Sequence, residues 1–197
     1  RLVGSEMCIR DRIFHGKRHT PTASVSDEAA RYVVTGISGT KTFNLAGLQA
    51  STVVFPNAHK KEVFDKFWMN MDIHRNNAFS SVAMEAAYNE GEEWLDQLRD
   101  YLDENIRYVK EFVKENLPKA SVTAVEGTYL IWLDLNGYEK DPKKLEKLMQ
   151  QTARIAFDEG YIFGEEGSGF ERINAAMPKK NLEDCMNRIK MALDTLN

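Results

Sequence analysis

The apolar positions of this chain change period several times, and each change marks an element. Tyr32-Val33-Val34-Thr35-Gly36-Ile37 and Gln49-Ala50-Ser51-Thr52-Val53-Val54-Phe55 are β-branched, largely apolar runs that read as buried strands. Between them lies the polar, glycine-bearing Ser38-Gly39-Thr40-Lys41-Thr42-Phe43-Asn44. Pro56-Asn57 closes the second run, after which Val63, Phe64, Phe67, Trp68 and Met71 fall on one helical face. From Ser80 the period is helical again, first through Val82, Ala83, Ala86 and Ala87, then from Trp94 through Leu98, Leu102, Ile106, Val109 and Val113. That second stripe ends near Pro118, and its length suggests a connector between two domains. Beyond it, Ser121 to Val125 and Thr128 to Leu135 read as strands joined by a tight Glu126-Gly127 turn. Asp141 and Pro142 start a helix with Leu145, Leu148, Met149, Ile155 and Ala156 on its apolar face and Gly160 as its stop. Short strands around Tyr161 to Phe163 and Glu171 to Asn174 precede a last helix from about Asn181 to Leu196.

The pattern predicts an α/β protein in several parts: a head at 1–12, a sheet-bearing domain at 13–90, an interdomain helix at 91–117 and a small α+β domain at 118–197. No internal repeat or low-complexity tract interrupts it. The 197 residues are 43% hydrophobic and 28% charged, with no apolar run of the length a membrane span needs. A net charge of -4 without a basic stripe excludes nucleic acid as an expected partner. Cys8 and Cys185 fit neither a metal spacing nor a disulfide framework, so a reducing cytoplasm is the expected compartment. Arg1–Arg12 has no clear period, resembles a translated sequencing-adapter tract and is set aside with Cys8. Cys185 sits among Leu182, Met186, Ile189 and Leu193 at helical spacing and reads as a small core residue.

Candidate chemistry concentrates at Ser38-Gly39-Thr40-Lys41, directly after an apolar run. A lysine at the end of a buried strand is partly desolvated, which disfavours its ammonium and frees an amine to attack a carbonyl. Ser38 and Thr40 add hydroxyls, and the loop adds N–H groups, a cradle suited to phosphate. A solvated lysine in an ordinary turn is the competing reading of the same residues.

The segment from Ser38 to Gln49 resembles the cofactor-lysine segment of the class I and II aminotransferases, and within them the MalY and PatB type of cystathionine β-lyase. The same branch is suggested by Gly127-Thr128-Tyr129-Leu130-Ile131-Trp132-Leu133-Asp134 and by Phe163-Gly164-Glu165-Glu166-Gly167-Ser168-Gly169-Phe170-Glu171-Arg172-Ile173-Asn174. The resemblance covers roughly residues 13 to 197 and implies the carboxyl-terminal half of a pyridoxal-phosphate-dependent fold. It implies that Lys41 carries pyridoxal 5′-phosphate as a Schiff base, that Ser38 and Thr40 help hold the phosphate, and that Arg172 binds the substrate's α-carboxylate. For Arg172 the structural alternative is an ion pair with Glu165 or Glu166. Tyr129 and Trp132 read as core residues and stay outside the expected site.

Two departures from the family pattern stand out. The aspartate for the pyridine nitrogen, the glycine-rich phosphate turn and the stacking aromatic belong to the other half, of which only the neighbourhood Phe14 to Pro21 is present. Gln49 stands where many aspartate-type aminotransferases have an arginine, which favours the lyase branch. The implied activity is carbon–sulfur β-elimination from cystathionine or a related cysteine conjugate by a full-length homodimer, with this half inactive alone. An aminotransferase is the alternative within the fold, and a non-catalytic interaction domain on the same scaffold is the alternative from another class.

Overall fold

The computed structural model describes residues 13–14, 16–73 and 76–196, so Arg1–Arg12 and the head assigned to them lie outside the described residues. The chain divides into two compact units, one reaching to Arg99 and one beginning at Asp100. In the first, helix α1 (Asp27–Tyr32) opens on Ser26, whose side chain accepts the Ala29 N–H at 3.1 Å. Two short strands follow, β1 (Thr35–Ile37) and β2 (Thr52–Val54), paired antiparallel with Gly36 opposite Val53. Helix α2 (Ala58–Asn70) is capped by Asn57, which accepts the Lys60 N–H at 2.9 Å. Helix α3 (Ser80–Glu90) completes the elements wholly within this unit.

The expectation of buried strands here is corrected. β1 and β2 are half-exposed, because among the described residues each pairs only with the other. Tyr32, read as the start of a strand, ends α1 and is exposed. The apolar stripe of α2 is present but largely uncovered: Phe64 packs between Phe55 and Trp68 at ring separations of 5.1 Å, while Val63, Phe67 and Met71 face solvent.

Helix α4 (Glu92–Asn116) contains the division between units, and its stripe past that point, Leu102, Ile106, Val109 and Val113, is fully buried in the second unit. There a four-stranded sheet runs in the order β3 (Ser121–Val122), β4 (Leu130–Asp134), β6 (Phe170–Asn174), β5 (Asp158–Glu159), all neighbours antiparallel. Ile131, Leu133 and Ile173 point to one face and are buried, as strand alternation requires. Helices α5 (Pro142–Lys147) and α6 (Lys179–Asp194) add Leu145, Leu182, Cys185, Met186, Ile189 and Leu193 to the core, each large aliphatic side chain gaining about 2 kcal/mol on leaving water. Burial pushes the Cys185 thiol up to about 11, so it is an inert core residue.

Three boundaries in this unit differ from the periodic reading. β3 pairs with β4 through Ser121 and Val122, with one further bond from the Thr123 N–H to Trp132 O at 3.1 Å, so residues 124–129 form a wide connection in place of a tight turn, with Thr128 at φ 70°. The helix begun at Pro142 ends in a wider turn over Leu148–Ala153 and stops at Arg154 (φ 56°), leaving Ile155 and Ala156 outside. Arg154 itself takes the left-handed conformation expected of Gly160, its N–H reaching Met149 O, and Arg188 donates to its carbonyl at 3.1 Å. Residues 160–163 are a 3-10 helix, not a strand, and the strand falls on Asp158–Glu159.

Glu171 is the anomaly of this core: only 1% exposed, opposite Glu159 in the β5–β6 ladder, with its Oε2 buried and without a hydrogen-bond partner. Burial, reinforced by the charges of Glu159 and Glu146, pushes its carboxyl from 4.5 up to about 8. The folded state therefore holds a proton that the unfolded chain releases. The stability this lends is complete below pH 4.5 and is lost as pH rises through 8. Replacing Glu171 with Gln, which keeps the neutral shape, should leave stability near wild type in acid and raise it progressively above wild type toward pH 9. Urea unfolding across that range checks this, and a constant difference between the two proteins would refute it.

Candidate functional site

The loop from Ser38 to Leu48 is tied down from several directions. Ser38 Oγ donates to the Ala50 carbonyl at 2.7 Å and therefore receives the Thr40 hydroxyl, also at 2.7 Å, together with the Thr40 N–H at 3.3 Å. The Phe43 N–H reaches Gly39 O at 2.9 Å and the Leu45 N–H reaches Thr40 O, so the chain turns tightly through Lys41. Phe43 wedges beside Tyr88 and Trp94, each ring centre 6.0 Å away. Ser80 at the start of α3 donates to Leu48 O at 2.8 Å. Gly39 lies so close to α3 that a Cβ there would stand 3.0 Å from Met84 and 3.1 Å from the Tyr88 hydroxyl.

This anchoring turns Thr40 and Thr42 inward, both buried, and Lys41 between them outward. Lys41 is exposed, and its amine has no hydrogen-bond or ion-pair partner among the described residues. The expected desolvation is thus not supplied by this unit. The two-stranded β1–β2 ribbon is too narrow to cover the loop. Ser38 and Thr40 are brought together as expected, but both hydroxyl protons are engaged, one on Ala50 and one on Ser38 itself. An anion reaches them only by taking over one of these bonds.

Arg172 belongs to the second unit, on the half-exposed face of β6 opposite Trp132 of β4. Its Nη2 pairs with Asp158, not with Glu165 or Glu166. Its guanidinium carbon lies 4.5 Å from the ring centre of Phe163, which meets Trp132 edge-to-face at 5.3 Å. Trp132 is therefore not a core residue, since Ile131 and Leu133 take the inward positions of β4. Asp158, Phe163 and Trp132 were missed by the sequence reading. Parity along β4 carried the signal for Trp132, whereas Phe163 was hidden by the expectation of a strand. Among the described residues no group of three or more His, Cys, Asp or Glu could hold a metal ion, and no helix is long and apolar enough to cross a membrane.

No family model matches the chain. It is 37% identical over 191 residues to the cystathionine β-lyase PatB of Bacillus subtilis, an alignment covering 97% of this chain and 49% of PatB. It is 33% identical over 184 residues to the protein MalY of Escherichia coli, across 93% of this chain and 46% of MalY. Among solved structures, cystalysin from Treponema denticola, which contains a pyridoxal 5′-phosphate cofactor, matches with a TM-score of 0.86 at 35% identity, covering 98% of this chain and 48% of cystalysin. The chain spans about half the length of the relatives it matches, and its mixed α/β architecture is shared with these pyridoxal-phosphate enzymes.

Replacing Ser38 with Ala removes the donor to Ala50 and the acceptor of the Thr40 N–H at once. Local opening should become about 1 kcal/mol easier and exchange of the Thr40 amide about fivefold faster. Unchanged exchange would show that the Ser38 hydroxyl does not hold the loop.

Proposed function

We propose that this chain, homologous over about half their length to the PatB- and MalY-type cystathionine β-lyases of the pyridoxal-phosphate-dependent aminotransferase fold, is the lysine-bearing carboxyl-terminal half of a carbon–sulfur β-lyase. Its substrate is cystathionine or a related cysteine conjugate, and its products are a thiol, pyruvate and ammonia. The observation that carries this reading is 37% identity to a cystathionine β-lyase along a chain bearing the Ser38–Gln49 lysine segment and the Phe163–Asn174 arginine segment in family order. Residues 13–90 form part of the large cofactor domain, 91–117 the interdomain helix and 118–197 the small domain. The full-length enzyme is a homodimer of the cytoplasm, a compartment in keeping with the unpaired Cys185 thiol.

The residues present fit pyridoxal phosphate at the lysine, whose amine is exposed and unengaged, and at the phosphate end through hydroxyls that exchange one internal bond for an anion. When bound, the cofactor supplies an electron sink that makes the substrate's Cα–H acidic. Lys41 Nζ would hold the cofactor through its carbonyl carbon and, when free, would remove the proton from the substrate's Cα. Loss of that proton sets up cleavage of the Cβ–S bond. Arg172 orients the substrate by its α-carboxylate, which its planar fork matches better than a lysine would. Transamination shares the proton abstraction, and pyruvate formed from cystathionine without a keto-acid acceptor distinguishes the lyase from it.

In the full-length protein, borohydride should fix the cofactor on the peptide containing Lys41, as read by mass spectrometry, and Lys41→Ala should abolish both the labelling and turnover. Labelling at another lysine would overturn the assignment. Arg172→Lys should cost about 2 kcal/mol in kcat/KM, close to thirtyfold, chiefly through KM. Unchanged kinetics would make Arg172 structural.

A further inference from the structure

We infer that Phe163 is a positioning residue for Arg172: its ring, together with the Asp158 carboxylate, mounts the guanidinium so that the Nη1 end is presented to the substrate's carboxylate. The inference rests on the assignment of Arg172 to that carboxylate. It is carried by an account of the guanidinium's surroundings. One face lies against the Phe163 ring at 4.5 Å. Asp158 takes Nη2 through a single oxygen. Nε is buried and has no acceptor. The side chain retains 23% exposure, and Nη1 is neither paired nor among the buried atoms. Of the two edges an arginine can offer a carboxylate, the Nε edge is closed, so the ligand is taken end-on at the terminal nitrogens.

Phe163 is placed for this role and poorly placed for any other. It is 51% exposed, so little core packing depends on it. Yet the 3-10 helix Gly160–Phe163 that carries it is held by close contacts. Gly160 and Gly167 approach so tightly that a Cβ on either would stand about 2 Å from the other's carbonyl oxygen. Gly164 follows at φ 138°, a conformation that side chains rarely adopt. Tyr161 accepts a hydrogen bond from Lys143 Nζ at 2.7 Å and donates to Glu146 at 3.1 Å, tying the turn to α5. Trp132 backs the ring edge-on. A rigid turn thus ends in an exposed aromatic whose contact on the cationic side is the substrate arginine, and a cation over such a face loses angular freedom.

The test is steady-state kinetics on the full-length enzyme with L-cystathionine. Phe163→Leu, which keeps apolar bulk but removes the ring face, should raise KM about tenfold while kcat stays within about twofold. Phe163→Trp, which restores a ring, should bring KM back toward wild type. If Arg172→Lys raises KM and Phe163→Leu does not, the mount is wrong and the role of Arg172 stands. If Phe163→Trp fares no better than Phe163→Leu, the ring face is irrelevant and the inference falls. If Arg172→Lys itself leaves KM unchanged, the carboxylate assignment fails first and the mount fails with it.

Discussion

The antiparallel register between β4 and β6 is the constraint on which the second unit depends. It sets Ile131 opposite Ile173 on the buried face and Trp132 opposite Arg172 on the other. Side chains along a strand alternate with a period of two, so a slip of one residue would carry Arg172 into the core and bring Ile173 out. The cost would be prohibitive, because an unpaired buried charge is far worse than an exposed isoleucine. The same register turns Glu171 into the core, where burial pushes its carboxyl up to about 8. Adjacent positions on one strand therefore lie in opposite environments: Glu171 faces the core, where burial pushes its carboxyl up, and Arg172 pairs with Asp158 at a half-open face.

In the first unit the equivalent constraint is the anchoring of a loop, not the filling of a core. Phe43, the Ser38–Ala50 bond and the Ser80–Leu48 bond fix the turn, and the outward position of Lys41 follows from the inward positions of Thr40 and Thr42. Ser38 and Thr40 are satisfied within the turn and its neighbour Ala50, while the amine has no partner among the described residues. That arrangement supports the proposed role of Lys41 as a covalent carrier, since a salt-bridged lysine would first have to leave its partner.

What the sequence disclosed depended on whether a local rule or a tertiary one governed each residue. The stripes of α4 and α6 were legible because their burial follows helical period over several turns. The short strand carrying Arg172 was placed, but its inward pair Glu171 and Ile173 gives no apolar alternation from which its faces could be read. The strand reading failed at Tyr32 because the helix that Ser26 caps, with its acidic first turn, runs through it, and Val33 and Val34 lie between that helix and β1. The 160–163 segment failed because Gly160, Gly164 and Gly167 serve a close backbone approach that a period cannot encode. Lys41 and Arg172 were proposed from motif. Their surroundings were not, since the Asp158 pair and the Phe163 face join residues from separate elements with no shared spacing.

The incomplete pairing of Arg172 bears on why such a group is retained. A structural arginine on a strand lowers its energy most by a bidentate bond with one carboxylate, which satisfies both members of a guanidinium edge. Here Asp158 supplies one oxygen, and the neighbouring Nε is covered without an acceptor, at a cost of about 1–3 kcal/mol for a buried donor left unmet. Phe163 offsets part of that cost by facing the cation with its ring, but a ring face saturates no N–H. The guanidinium is thus oriented without being satisfied. Orientation lowers the entropy that a ligand must remove on binding at the open Nη1 end, whereas the closed Nε edge adds nothing to what such a ligand gains.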